Sequence, residues 1–529
     1  MKFVQTKLKN ILGASVLLLA LTAGCKKDYT ELDPLSSLSE VTAFTTPANI
    51  ELTVNGMYNR AAVGIYEGGA GRGYPFGSAN TEQGDMRGED MINLQSFYLI
   101  TYQNTYTPTT ANNKNHWEQL YGLINQTNVI IQGVTGAVEQ AVISSETGDA
   151  YIGEALFLRA LAHHELLIHF CRPYSDNPGS NLGIPYRTIA YTTPESVAEG
   201  MTLDRGTVEA AYQNVLADLD EAENLLPDAR TAKDLSISRA TKGAAIAIKS
   251  RVKLFMKDYP GVIAEATKLG AASTADFSSP IGAYKLEADP TAPFLSFKNN
   301  AESIFSIAQS VNANPGVNGA ISGMYGPSSL DGRDLIAVSP NLYNAKFWIA
   351  ADLRKTELTF KQEGGSRPFV YAYKYRKYGD NDDWNPIVRY SEVLLNAAEA
   401  YAYTGNNGQA LRLLNAVRDR SVGVSNSYGT TVPQGDVKQA IYDERRVEFF
   451  AEGKRWGDLH RLAQTPYNTA GIPAKVLPNQ LSAAVYDGST ILTPALGAVA
   501  YSNFRFVWPM PATEVDSNPT LRAQQNPGY

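Results

Sequence analysis

The sequence predicts a mainly α protein, built from helical pairs and carrying a long irregular half with a few short strands. Three observations support this. Apolar residues recur at helical spacing in eight separated segments. From about 64 to 116, and again from about 259 to 385, that spacing gives way to glycine, tyrosine, asparagine and threonine. With 44% hydrophobic residues and two cysteines in 529, the chain has apolar surface for a large packed core and no disulfide framework.

The N-terminus is read first. Lys2, Lys7 and Lys9 precede an apolar run from Ile11 to Ala23, too short for a bilayer, which takes about 18–20 such residues. A basic start, a short apolar stretch and small residues at its end make a secretory signal. Its last residues, Leu21, Thr22, Ala23, Gly24 and Cys25, resemble the bacterial lipobox, in which acyl chains such as palmitate are placed on the cysteine. Each buried acyl CH₂ contributes about 0.8 kcal/mol, and stable anchoring takes more than one chain. The expected order is a signal over 1–24, a lipid-anchored tether over 25–40 and one domain over 41–529. If Cys25 carries lipid, Cys171 has no partner for a disulfide.

The formal charge is −7, and removing the signal takes away three lysines, leaving −10. No run of lysine or arginine stands out, which argues against nucleic acid as a partner.

Periodicity predicts helices over Thr46–Ala62, Trp117–Val134, Asp149–Phe170, Thr207–Leu226, Arg239–Met256, Ile387–Thr404, Gln409–Arg420 and Asp436–Glu452. They group as pairs at about 41–62, 117–258 and 386–465. "SIFSIAQSV" and the alternating "YAYKYRKYG" read as strands. The tail, Ser502–Tyr529, is rich in proline and asparagine and reads as non-helical. "NAAEAYAYTGNNGQALRLLNAVRDR" looks like a tetratricopeptide-type hairpin, with alanines and Tyr401 on one helix and Ala410, Leu413 and Leu414 on the next. Such a unit needs neighbours to stack on. The 34-residue period of that repeat is not kept between pairs, so the array is degenerate.

No convincing catalytic set emerges. In "HHELLIH", His164 and His169 are five apart, roughly 140° around a helix, so they do not grip one zinc ion. "GGAGRGYPFG" lacks the Gly-Lys-Ser/Thr ending of a phosphate cradle and reads as a flexible surface loop. Glu392 and Glu399 share a helix face, with Arg389 one turn earlier, and Glu444, Arg445, Arg446 and Glu448 crowd the next helices. Paired carboxylates can hydrolyse glycosides, but beside these arginines they read as ion pairs tying helices together. No G-x-S-x-G elbow is present.

The aromatic residues of the irregular stretches are the better candidates. Tyr74, Phe76, Phe97, Tyr98, Tyr102 and Tyr106 fall among Gly, Asn, Gln and Thr, and Tyr325 sits in "GAISGMYGPSSLDG". Ring faces and amides together suit a sugar. Tyr74, Phe76, Tyr98, Tyr102 and Tyr325 are therefore the expected ligand platforms.

Four stretches carry a resemblance to a known family: "CKKDYTELDP" with "NIELTVNGMYN"; "HWEQLYGLINQTNVII"; "IVRYSEVLLNAAEAYAYTGNNGQALRLLNAVRDR" continued by "AIYDERRVEFFAEGKRWGDLHRLA"; and "FVWPMPATEVDSNPTLRAQQNPGY". Together they resemble the SusD/RagB family of Bacteroidetes outer-membrane lipoproteins. The resemblance implies a non-catalytic, surface-exposed, lipid-anchored protein that binds nutrients, mostly glycans. It also implies a SusC-like TonB-dependent transporter as partner. Some relatives bind calcium, but no calcium-loop pattern occurs here and no cofactor is expected. A surface glycoside hydrolase and a solenoid interaction module are the alternative readings.

Overall fold

The computed structural model describes residues 42–69, 71–273 and 276–529. The signal, Cys25 and the whole of the tether lie outside them. The chain divides into two compact units, Met1–Thr53 and Val54–Tyr529. In the first, the Asn49 side chain donates to the Thr42 carbonyl at 2.9 Å, where helix α1 (Pro47–Ala62) begins. The rest concerns the second unit. No helix among the described residues is long and apolar enough to cross a membrane.

About 48% of the protein is helical, with only short strands. The longer helices after α1 are α2 (Ser78–Arg87), α3 (Ala111–Glu139), α4 (Ser145–Phe170), α5 (Val208–Leu225), α6 (Lys242–Phe255), α7 (Tyr259–Lys268), α8 (Tyr390–Tyr403), α9 (Asn407–Val422), α10 (Val437–Glu448) and α11 (Lys454–Arg461). Side-chain caps mark several starts. Ser144, Thr207, Thr241 and Asn406 each accept from the backbone N–H three residues on, contributing about 1 kcal/mol apiece. Helix α4 packs against both α3 and α5, so its second half is buried almost all round. Its charged side chains find partners there: Arg159 meets Asp218 at 2.6 Å, and Glu154 accepts from Arg230 and Arg239 at 2.8 Å. The expected hairpin is α8–α9. Gly405 turns it at φ +86°, and Ala410, Leu413 and Leu414 are fully buried. Helix α10 packs on both members.

Three two-stranded antiparallel ladders tie the irregular half together. They pair β1 (Met91–Asn93) with β3 (Ile336–Val338), β2 (Ser303–Ile307) with β6 (Asn385–Arg389), and β4 (Thr359–Lys361) with β5 (Val370–Ala372). The first is decisive for the site, because it joins the two irregular stretches, with Met91 opposite Val338.

Several boundaries differ from expectation. Helix α2 lies in a stretch read as loop, and α7, started by Asp258 and Pro260, lies in another. Residues 387–389 are strand, and α8 starts only at Tyr390. The tail contains two short helices, Ala512–Ser517 and Pro519–Ala523. The Asn518 side chain accepts from the N–H groups of Thr520 and Leu521 and starts the second.

Candidate functional site

The candidate site begins with a loop folded back on itself. Gly64 and Gly73 adopt φ +57° and +75°, and a Cβ on Gly64 would lie 2.0 Å from the Tyr74 carbonyl oxygen. Only glycine allows that approach. The segment read as a flexible surface loop is corrected accordingly, since residues 73–77 are buried. Tyr98, before a one-turn helix, has φ +54°, a conformation that costs a non-glycine residue about 1–2 kcal/mol.

An open cleft of about 260 Å³ lies between these segments. Tyr66, Arg72 and Phe97 line it and are half-buried, while Tyr74 and Tyr98 line it as buried rings. Ser96, Asn112 and Asn318 complete the lining. Tyr66 stacks on Tyr74 with centroids 6.0 Å apart and planes at 18°. The Arg72 guanidinium lies 5.3 Å from the Tyr66 centroid and 5.4 Å from that of Phe97. Burial pushes the Tyr74 and Tyr98 hydroxyls well above the usual phenol range, so they remain protonated. Ring faces bordered by amide and hydroxyl groups can stack on the C–H faces of a sugar and hydrogen-bond its hydroxyls.

The five expected platforms are thus divided. Tyr74 and Tyr98 border the cleft, but as rings 0% and 5% exposed they support the half-buried Tyr66 and Phe97 and offer little face of their own. Phe76, Tyr102 and Tyr325 are corrected to interior positions, each 1% exposed or less, and no ring face is open for stacking. The Tyr102 hydroxyl donates to the Val476 carbonyl at 2.5 Å, and that of Tyr325 to Asp85 at 2.6 Å. Phe76 borders a polar internal cavity of about 50 Å³ with His164, Glu392 and Lys454. Tyr66, Arg72, Asn112 and Asn318 were not singled out in the sequence. A lone arginine in a glycine loop has no periodicity, and Asn318 arrives from the second irregular stretch.

The carboxylates weighed for hydrolysis are held by cations. Glu392 accepts from Arg251 at 2.5 Å, and Glu399 accepts two hydrogen bonds from Arg461 at 2.6 and 2.7 Å. Glu444 meets Arg354 at 2.5 Å. Glu448 meets Arg354, Arg389 and Arg420 at 2.9, 2.8 and 2.7 Å. Burial opposes the charge on Glu448, but these arginines hold it well below the usual carboxylate range. The arrangement is the expected set of ion pairs between packed elements.

One histidine cluster was not anticipated. His116, Glu165 and His169 bring possible ligand atoms within 4.8 Å of one another. Its hydrogen bonds work against a metal. Arg87 can only donate, so its contact with His169 Nδ1 at 3.2 Å places the ring proton on Nε2, which faces Glu165 at 3.0 Å. A metal would need that nitrogen bare. Burial pushes His169 down to about 3, which keeps the ring neutral.

Comparison with known proteins completes the picture. A family model described as "Starch-binding associating with outer membrane" matches residues 28–254, and one described as the SusD family matches residues 350–529. SusD-like protein P2 of Formosa agariphila is 24% identical over 497 residues, covering 84% of this chain and 89% of its own. The crystal structure of a SusD superfamily protein from Bacteroides fragilis is 27% identical with a TM-score of 0.73, covering 90% of this chain and 99% of that one. A more distant structure, a laminarin-binding SusD-like protein, shares the fold at 19% identity and TM-score 0.66, covering 92% of this chain and 100% of its own.

Proposed function

The chain belongs to the SusD family, and from that premise we propose that it is a non-catalytic, cell-surface oligosaccharide-binding protein. The observation that carries the reading is the cleft of Tyr66, Phe97, Tyr74 and Tyr98, bordered by Asn112 and Asn318 from separate stretches of chain. Its composition is that of a sugar site, and a protein of the same fold is named for binding laminarin. No bond is made or broken in this account, and capture depends on ring contact and hydrogen bonds. Affinity per site is modest, because ligand and side chains lose freedom on binding.

The same reading includes a membrane anchor. Cleavage after residue 24 leaves Cys25 first, lipids on that cysteine hold the chain at the outer membrane, and the domain faces outward. The bound oligosaccharide then passes to a SusC-like TonB-dependent transporter. The lipobox-like residues and a matching family model described as associating with the outer membrane support these steps.

Affinity electrophoresis of the full-length protein in detergent, through gels containing single polysaccharides, tests the binding claim. Retardation in at least one gel without release of reducing ends is the expected result. Release of reducing ends would instead favour a surface hydrolase, and retardation in none would overturn the reading.

A further inference from the structure

Two guanidiniums lie against the Phe97 ring of the cleft, and neither makes an ion pair among the described residues. The Arg72 guanidinium lies over Tyr66 and Phe97, and that of Arg333 approaches the same Phe97 ring at 4.8 Å. Among the described residues the Arg72 side chain makes no hydrogen bond and no ion pair, and its Nη1 is buried without an acceptor. Arg333 has no carboxylate partner either, and its guanidinium donates only to the Met324 sulfur at 3.6 Å. Elsewhere in the chain, Arg354, Arg389, Arg420 and Arg461 each grip carboxylates.

The nearby acids do not neutralise the pair. Glu67 is occupied by Asn115 at 2.8 Å and Lys114 at 3.3 Å. Glu82 is fully buried beside the Tyr98 hydroxyl, and neither of its oxygens accepts a hydrogen bond of ordinary geometry. Burial pushes it well above the usual carboxylate range, and it makes no ion pair with Arg72 or Arg333. Arg72 lines the cleft and Arg333 lies at the Phe97 ring that borders it, so an oxyanion in the cleft would give the idle Arg72 donors an acceptor and would be drawn by both positive charges. Guanidinium groups, planar and always charged, suit carboxylate and sulfate oxygens. The mature chain carries −10 overall, so this is a local feature and not part of a broad basic surface.

Resting on the glycan-binding reading, we infer that the glycan taken by this cleft bears an oxyanion, a uronate carboxylate or a sulfate ester. The oxyanion is seated at Arg72 and Arg333, while a sugar ring stacks on Tyr66 or Phe97. The neutral saccharides of the same backbone bind more weakly because they leave the guanidinium donors unmatched.

The test compares retention of the full-length protein in gels of paired polysaccharides of one backbone: methyl-esterified polygalacturonate with polygalacturonate, desulfated κ-carrageenan with κ-carrageenan, and dextran with dextran sulfate. The first pair probes carboxylate, and the other two probe sulfate. One or more acidic members should bind about tenfold or more tightly than the neutral partner, as a charge-assisted hydrogen bond predicts. Arg72→Gln and Arg333→Gln should each bring that ratio towards one, and Arg72→Lys should restore only part of it. Neutral members held as tightly as acidic ones, or a preference unchanged in both glutamine variants, would overturn the inference and leave glycan binding intact. Retention of no polysaccharide would overturn both.

Discussion

Tyr325 donates its hydroxyl hydrogen to the Asp85 carboxyl at 2.6 Å, with both side chains buried. The same carboxyl accepts from the Gly453 N–H at 3.1 Å. A ring from the second irregular stretch thus locks helix α2 to the loop before α11. Tyr325→Phe removes one buried hydrogen bond and should lower stability by about 1–3 kcal/mol without weakening glycan retention. Denaturant titration and affinity gels on one preparation check both parts.

Asp85 also sets a pH dependence. Burial pushes it from the ordinary 3.8 to about 8. Its folded value lies above its unfolded one, so its contribution is fully present below about pH 4 and is lost as pH rises towards 8. As pH rises from about 5 to about 8, the melting temperature of the parent protein should fall relative to that of Asp85→Asn, because the buried histidines and lysines that also titrate are common to both. An unchanged slope in the variant would contradict this assignment.

Glu448 is the anion shared by Arg354, Arg389 and Arg420. Glu448→Ala leaves these buried guanidiniums short of a partner and should cost about 3–5 kcal/mol. Glu452 and Glu302 remain beside Arg389, at 2.8 and 2.5 Å, so the protein should still fold in mild conditions. The midpoint of chemical unfolding reads the loss.

The anchor proposed at Cys25 can be tested apart from folding. Cys25→Ser should move the protein from the membrane fraction to the soluble fraction while its melting temperature stays the same. Fractionation followed by mass analysis of the N-terminal peptide reads the location and the lipid. A variant that remained in the outer membrane would contradict the lipid anchor.

The long helices were legible in the sequence because apolar residues recur at helical spacing in α3, α4, α5 and α9, and α4, α5 and α9 start at capping side chains. Helix α2 was hidden. Its buried residues include Glu82, Gln83, Asp85 and Arg87, whose burial depends on distant partners such as Tyr325 and the Phe506 carbonyl. The candidate site was legible only by region. Tyrosines among glycines and amides marked the right stretches, but which ring faces outward depends on long-range packing. The β1–β3 ladder brings the two stretches together, and Gly319 packs so closely on Arg72 that a Cβ would lie 2.6 Å from its backbone. No local pattern encodes those contacts, so the sequence does not distinguish the buried Tyr325 from the half-buried Tyr66.

The central claim is that the half-buried rings of the cleft, and not the buried tyrosines, hold a glycan. Retention in a gel of a bound polysaccharide, compared between the Tyr66→Ala/Phe97→Ala double variant and Tyr325→Phe, tests it most directly. Two lost ring contacts predict a loss of about tenfold or more in affinity for the double variant, with Tyr325→Phe retained like the parent protein. Unchanged retention in the double variant, or loss confined to Tyr325→Phe, would contradict the account.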